Sequence, residues 1–74
     1  MNIDYLIKMA NQIGAFFESQ PDSAQASADL AKHIKNSWEP RMRQALLAHV
    51  ADHQGDGLND FVRQAIARHG QSLV

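Results

Sequence analysis

Apolar residues along the chain recur at steps of three and four, and no stretch alternates with the period of two that marks a half-buried strand. Ile3, Leu6, Ile7, Ala10, Ile13, Gly14 and Phe17 fall on one face of a helix over residues 3–19, with Asn2 as its cap. That helix stops ahead of Pro21, because the residue before a proline is biased away from helical geometry. Asp22 or Ser23 caps a second helix over 23–37, whose shared face carries Leu30, Ala31 and Ile34 and continues to Trp38. A third helix, over 40–53, starts at Pro40, since the missing proline N–H has no intrahelical partner in a first turn. Its stripe is Met42, Ala45, Leu46, His49 and Val50. Gly55-Asp56-Gly57, rich in residues that tolerate positive φ, ends it. Leu58 then packs ahead of Asn59, the cap of a fourth helix over 60–69 with Phe61, Val62, Ala65 and Ile66 inward and Gly70 at its end. The pattern predicts an all-α fold, a small bundle of three to four short helices in a single domain over residues 1–74.

Composition narrows what such a bundle is for. Of the 45% hydrophobic residues, eleven are Ala, which leaves 22 larger apolar side chains for a core. Domains of this size bury only about 60% of the surface that the unfolded chain exposes, so they commonly lean on a disulfide, a metal or a partner. Cys is absent, which removes disulfides, thiolate zinc sites, iron–sulfur ligation and a Cys nucleophile together. A partner is the remaining support. No apolar run reaches the ~20 residues that span a bilayer, and the amino terminus has no signal-peptide pattern, so the expectation is a cytoplasmic protein without a membrane contact.

The net charge of −1 lacks the basic excess of a nucleic-acid binder. The charge is unevenly placed, however: Lys32, Lys35, Arg41 and Arg43 against Glu39 concentrate the positive charge in the middle of an otherwise acidic chain. Catalytic and cofactor sites are not expected. Ser19 and Ser23 read as turn and cap residues, and Gly55-Asp56-Gly57 lacks the Lys and the spacing of a phosphate loop. His49 and His53, four apart on one helix, are the candidate metal ligands, with Asp52 and Asp56 the only obvious extra donors nearby. Two ligands fall short of the three of a catalytic zinc or the four of a structural one.

Two features point outward. At about 100° per residue, Tyr5, Met9 and Phe16 widen the apolar surface of the first helix to an arc of about 200°, roughly twice what the outside of a small bundle needs. Either the fourth helix wraps round and covers this flank, or Tyr5, Met9 and Phe16 face another protein, as aromatic and Met side chains do at the cores of interfaces. The second feature is Trp38-Glu39-Pro40-Arg41-Met42-Arg43, where two arginines in the first turn of a helix oppose its macrodipole. Either Glu39 pairs with one of them, or Arg41 and Arg43 with the free N–H groups form a positive contact site beside Trp38. An acidic protein surface is the favoured partner. On that reading, Arg41→Ala and Arg43→Ala leave the helices intact and weaken binding. The alternative is a small DNA-binding regulator that reads with the helix starting at Pro40, but Gln44-Ala45-Leu46-Leu47-Ala48 offers few groove-reading side chains.

At these residues the sequence resembles a known family. Lys8-Met9-Ala10-Asn11-Gln12-Ile13-Gly14-Ala15-Phe16-Phe17, then Trp38-Glu39-Pro40-Arg41-Met42-Arg43 with Leu46-Leu47-Ala48-His49, then Gly57-Leu58 leading to Val62-Arg63, are together similar to the delta subunit of bacterial NAD-dependent, molybdenum-containing formate dehydrogenases. Asn36-Ser37 departs from the basic and aromatic pair expected before Trp38. The resemblance implies a non-catalytic accessory subunit of a cytoplasmic complex that oxidises formate to carbon dioxide and reduces NAD. In such complexes the other subunits carry the molybdopterin, iron–sulfur, FMN and NAD sites. It implies that this chain binds the catalytic subunits, alpha foremost, to stabilise or help assemble them. The matching positions are Asn11, Gln12, Phe16, Phe17, Trp38, Pro40, Arg41, Met42 and Arg43, of which Phe17 and Met42 read as core. With Tyr5 and Met9 added from the apolar flank, the partner-binding set is Tyr5, Met9, Asn11, Gln12, Phe16, Trp38, Pro40, Arg41 and Arg43. The same flank favours a homodimer when the chain is isolated.

Overall fold

The computed structural model describes residues 2–74; Met1, which the single-domain expectation also takes in, lies outside the described residues. The chain forms α1 (Ile3–Glu18), α2 (Ser23–Ser37), α3 (Pro40–His53) and α4 (Asp60–His69), followed by one 3-10 turn, Gly70–Leu73. Short polar side chains open three of the four helices. Asn2 accepts from the Asp4 N–H at 2.9 Å, Asp22 from Gln25 at 3.1 Å and Asn59 from Val62 at 2.9 Å. Each such cap holds about 1 kcal/mol of helix stability. At α3 the residue before the helix, Glu39, makes no side-chain cap, and Pro40 in the first turn takes over the start.

Helix α2 is the centre of the bundle: it packs on α1, α4 and the 3-10 turn, with Ala26, Ser27, Leu30, Ala31 and Ile34 buried along it. Leu6 and Ala10 of α1, Val62 and Ile66 of α4, and Leu73 of the turn meet it in a common core. Gly14 sets the α1–α4 crossing, because a Cβ built there would collide with Cγ2 of Val62. Helix α3 is held differently. Only Leu46 of its stripe is buried, while Met42, Ala45, Leu47 and Val50 are half-buried against the core, and its neighbours are α1 and the 3-10 turn.

Between α3 and α4 the chain reverses through Gln54, Gly55 and Gly57, with φ of 58°, 72° and 89°. The left-handed conformation is nearly free for glycine and costly for most other residues. The reversal carries Leu58 into the core and points Asn59 at the start of α4.

Two expectations need correction. Trp38 is 5% exposed and belongs to the core, so its indole offers no surface anchor. It closes the end of α2, its N–H donating to the Ile34 carbonyl at 2.9 Å. The 3-10 turn was not anticipated. The register that announces it is Ile66 followed seven residues later by Leu73, two helical turns along the same face.

Candidate functional site

The outer face of α1 breaks the polar surface with two exposed aromatic rings. Tyr5 is 61% and Phe16 65% exposed, and Gln12 is exposed between them. Residues 5, 9, 12 and 16 follow the 4-3-4 spacing of a helix-pairing seam. Met9 turns partway inward and packs against the core, so the bare strip is narrower than the 200° arc suggests. Phe16 is fixed from one side by an edge-to-face contact with Phe17, ring centroids 5.3 Å apart, and Phe17 in turn lies 5.8 Å from His33 on α2. The exposed ring is therefore set on a packed base, which lowers the cost of immobilising it in a contact.

Asn11, on the adjoining edge of α1, faces the chain itself. Its side-chain amide donates to the Gly57 carbonyl at 2.9 Å, and its side-chain carbonyl accepts from the Asn59 N–H at 2.9 Å. Asn11 thus clamps the loop that launches α4, an internal role for a residue that the resemblance placed in the partner-binding set.

The α2–α3 junction resolves the conflict between its arginines and the helix dipole. Arg43 is half-buried and turns back from α3: Nε donates to the Leu73 carbonyl at 3.0 Å, and Nη1 to the carbonyls of Lys35 at 3.1 Å and Trp38 at 2.6 Å. These groups lie at the C-terminal end of α2, where a macrodipole favours positive charge. Lys35 adds a bond from Nζ to the Val74 carbonyl at 2.9 Å. Arg43 is therefore a tie between three chain segments, an internal role where the sequence suggested a contact with a partner.

Arg41 remains exposed beside Pro40, Glu39 and Gln44 around a shallow depression. Among the described residues the one ion pair joins Arg63 to Asp60, so Glu39 does not pair with either arginine. With Arg43 turned inward, the outer face at the start of α3 offers few groups to read DNA bases, and the DNA-binding alternative finds no support.

His49 and His53 stack with ring centroids 5.5 Å apart, and His49 Nε2 lies 2.7 Å from the Asp56 carbonyl oxygen. Among the described residues no group of three or more His, Cys, Asp and Glu side chains is gathered so as to hold a metal ion. In the same residues no helix is long and apolar enough to cross a membrane.

A family model described as NADH-dependent formate dehydrogenase delta subunit FdsD matches residues 5–66 of the 74. The chain belongs to this family. The match takes in the seam from Tyr5 to Phe16, all of α2 and α3 and the start of α4, and it stops before the 3-10 turn. No curated protein and no solved structure matches the chain. As a delta subunit it is a component of a formate dehydrogenase complex, and its partners are the catalytic subunits of that enzyme.

Proposed function

We propose that this delta subunit is a non-catalytic accessory chain that binds and stabilises, or helps assemble, a cytoplasmic NAD-dependent molybdenum formate dehydrogenase. The alpha subunit is its first contact. The observation that carries the reading is the outer face of α1, where Tyr5 and Phe16 stand more than half exposed on a member of a delta-subunit family. A small domain that leaves two aromatic rings of its limited apolar supply in solvent gains most when a partner covers them. The absence of Cys supports the same division of labour, because the chain supplies no thiolate to hold an iron–sulfur cluster. Arg41, exposed next to Pro40 at the start of α3, offers a second, charged contact.

The test is co-purification. A tagged wild-type chain produced with the dehydrogenase subunits is expected to retain the enzyme, and the Tyr5→Ser, Phe16→Ser double variant to lose most of it while keeping its helical circular dichroism. Equal retention by both chains would sink the role given to α1. Formate oxidation by the isolated chain would sink the non-catalytic assignment.

A further inference from the structure

At the C-terminal end of α3 the surface dips into an open depression of about 410 Å³ with no part in the functional reading so far. Ile3, Ala45 and Ala48 form its apolar floor, the stacked rings of His49 and His53 one wall, and Asp52 and Asp56 its rim. Its volume falls in the range of small-ligand sites, and its lining combines three apolar side chains with four polar ones.

The charged groups that line it have one sign, although Arg63 packs on Gly55 close by. The lining holds two carboxylates and no Lys or Arg, and the sequence places no Lys or Arg between Arg43 and Arg63. Helix α3 ends at His53, so the negative end of its macrodipole lies at the same place. A cation is the complementary occupant. A metal ion is a poor fit, because the groups present do not converge as a ligand set. A bare ammonium leaves the alanine floor uncovered. An arginine side chain meets every part of the lining: its methylene stem covers Ala45 and Ala48, its planar guanidinium stacks on imidazole, and its forked N–H groups match the rim carboxylates.

We propose that this depression is a docking socket for an arginine side chain of a partner subunit, an inference that rests on the reading of the chain as an accessory subunit. The socket is preformed. The Asp56 N–H donates to the His53 carbonyl at 3.1 Å, the Asp56 carbonyl meets His49, and Asn11 holds the Gly57 carbonyl. The backbone that carries Asp56 then needs little ordering when the partner arrives, and the exposed Asp52 and Asp56 side chains are what the contact orders.

Two measurements test it. In the first, the full chain is titrated with n-butylguanidinium while the Ala45 and Ala48 methyl and the His49 and His53 ring resonances are followed by NMR, with n-butanol as the neutral control. Saturable shifts are expected for the guanidinium, weakened at least fivefold in affinity by Asp52→Asn with Asp56→Asn, and abolished by Ala48→Trp. Shifts that are absent, that butanol reproduces or that the double Asn variant leaves unchanged would overturn the socket. So would a rise in thermal midpoint on adding zinc alone, which would assign the depression to a metal. In the second, the double Asn variant is compared with wild type for retention of the dehydrogenase. A tenfold loss is expected, and equal retention overturns the partner's arginine. If the wild-type chain itself retains no enzyme, the accessory-subunit reading falls, and the guanidinium titration still decides the socket.

Discussion

The α2–α3 junction and the outer face of α1 both carry aromatic side chains where a helical wheel leaves them in doubt, yet one is closed and the other bare. At the junction, Trp38 is buried and Arg43 binds three backbone carbonyls from the end of α2, the linker and the C-terminal turn. On α1, Tyr5 and Phe16 have no element of this chain above them. The difference is a matter of neighbours. The 3-10 turn brings Leu73 and its carbonyl to the junction, whereas α2, α3 and α4 all pack on the opposite side of α1. A locally unfavourable residue is a sign of an unsatisfied partner, and that partner lies within the chain in the first case and outside it in the second.

The sharpest way to break the comparison is Trp38→Ala. If the junction is core, truncation removes a large buried ring and leaves a cavity, at a cost of about 3–5 kcal/mol. For a domain of this size that is a large part of the total stability. Urea unfolding followed by circular dichroism is expected to show the transition midpoint collapse. A loss confined to binding, with the midpoint kept, would return Trp38 to the surface role that its sequence position suggested.

Arg43→Ala comes next. Charge-assisted hydrogen bonds to backbone carbonyls contribute roughly 1.5–3 kcal/mol, discounted here because the side chain is only half-buried and water replaces part of what is lost. A destabilisation of about 2 kcal/mol is expected, with faster amide exchange at residues 70–73. Arg43→Lys recovers part of it at most, since a single ammonium does not span three acceptors. Arg41→Ala, two residues away on the exposed side of the helix, serves as the control and is expected to leave the unfolding free energy within about 0.5 kcal/mol of wild type.

These two residues also show what was legible in the sequence. The four helices and their caps follow from apolar steps of three and four punctuated by Asn2, Asp22, Pro40 and Asn59, all of which are local signals. Exposure is not local. Trp38 and Tyr5 carry the same kind of signal along the chain, and only the assembled fold, which buries the first in the common core and leaves the second in solvent, separates their fates. Asn11 is a further case: its partners, Gly57 and Asn59, lie 46 and 48 residues away, and the sequence offers nothing that announces the pairing. The His49 and His53 pair was visible from its spacing, whereas the depression beside it needs Ile3 from the other end of the chain.

Asn11→Ala probes the edge between the two regions. It removes a donor and an acceptor that hold the 57–59 loop, for an expected loss of about 1 kcal/mol. The amide protons of residues 57–60 are expected to exchange faster, because the Asn59 N–H loses its acceptor. Asn11→Asp separates the two bonds, since a carboxylate keeps the acceptor for Asn59 and loses the donor to Gly57. If Asn11 instead served a partner, both variants would leave exchange in the loop unchanged.

The smallest effect on folding is expected where the aromatic rings are most visible. Tyr5→Ser with Phe16→Ser removes two exposed side chains that lie outside the core, so the unfolding free energy is expected to shift by no more than about 0.5 kcal/mol. The Phe16 contact with Phe17 is the one intramolecular interaction at risk, and an edge-to-face pair is worth about 0.5–1.5 kcal/mol at most. Association is where the change belongs. The isolated wild-type chain is expected to self-associate through this seam as its concentration rises in sedimentation equilibrium, and the double variant to remain monomeric over the same range. The contrast with Trp38 then becomes quantitative: one aromatic whose loss unfolds the chain, and two whose loss changes only what the chain touches. A double variant that unfolds as readily as Trp38→Ala would erase that contrast and make the α1 face part of the core.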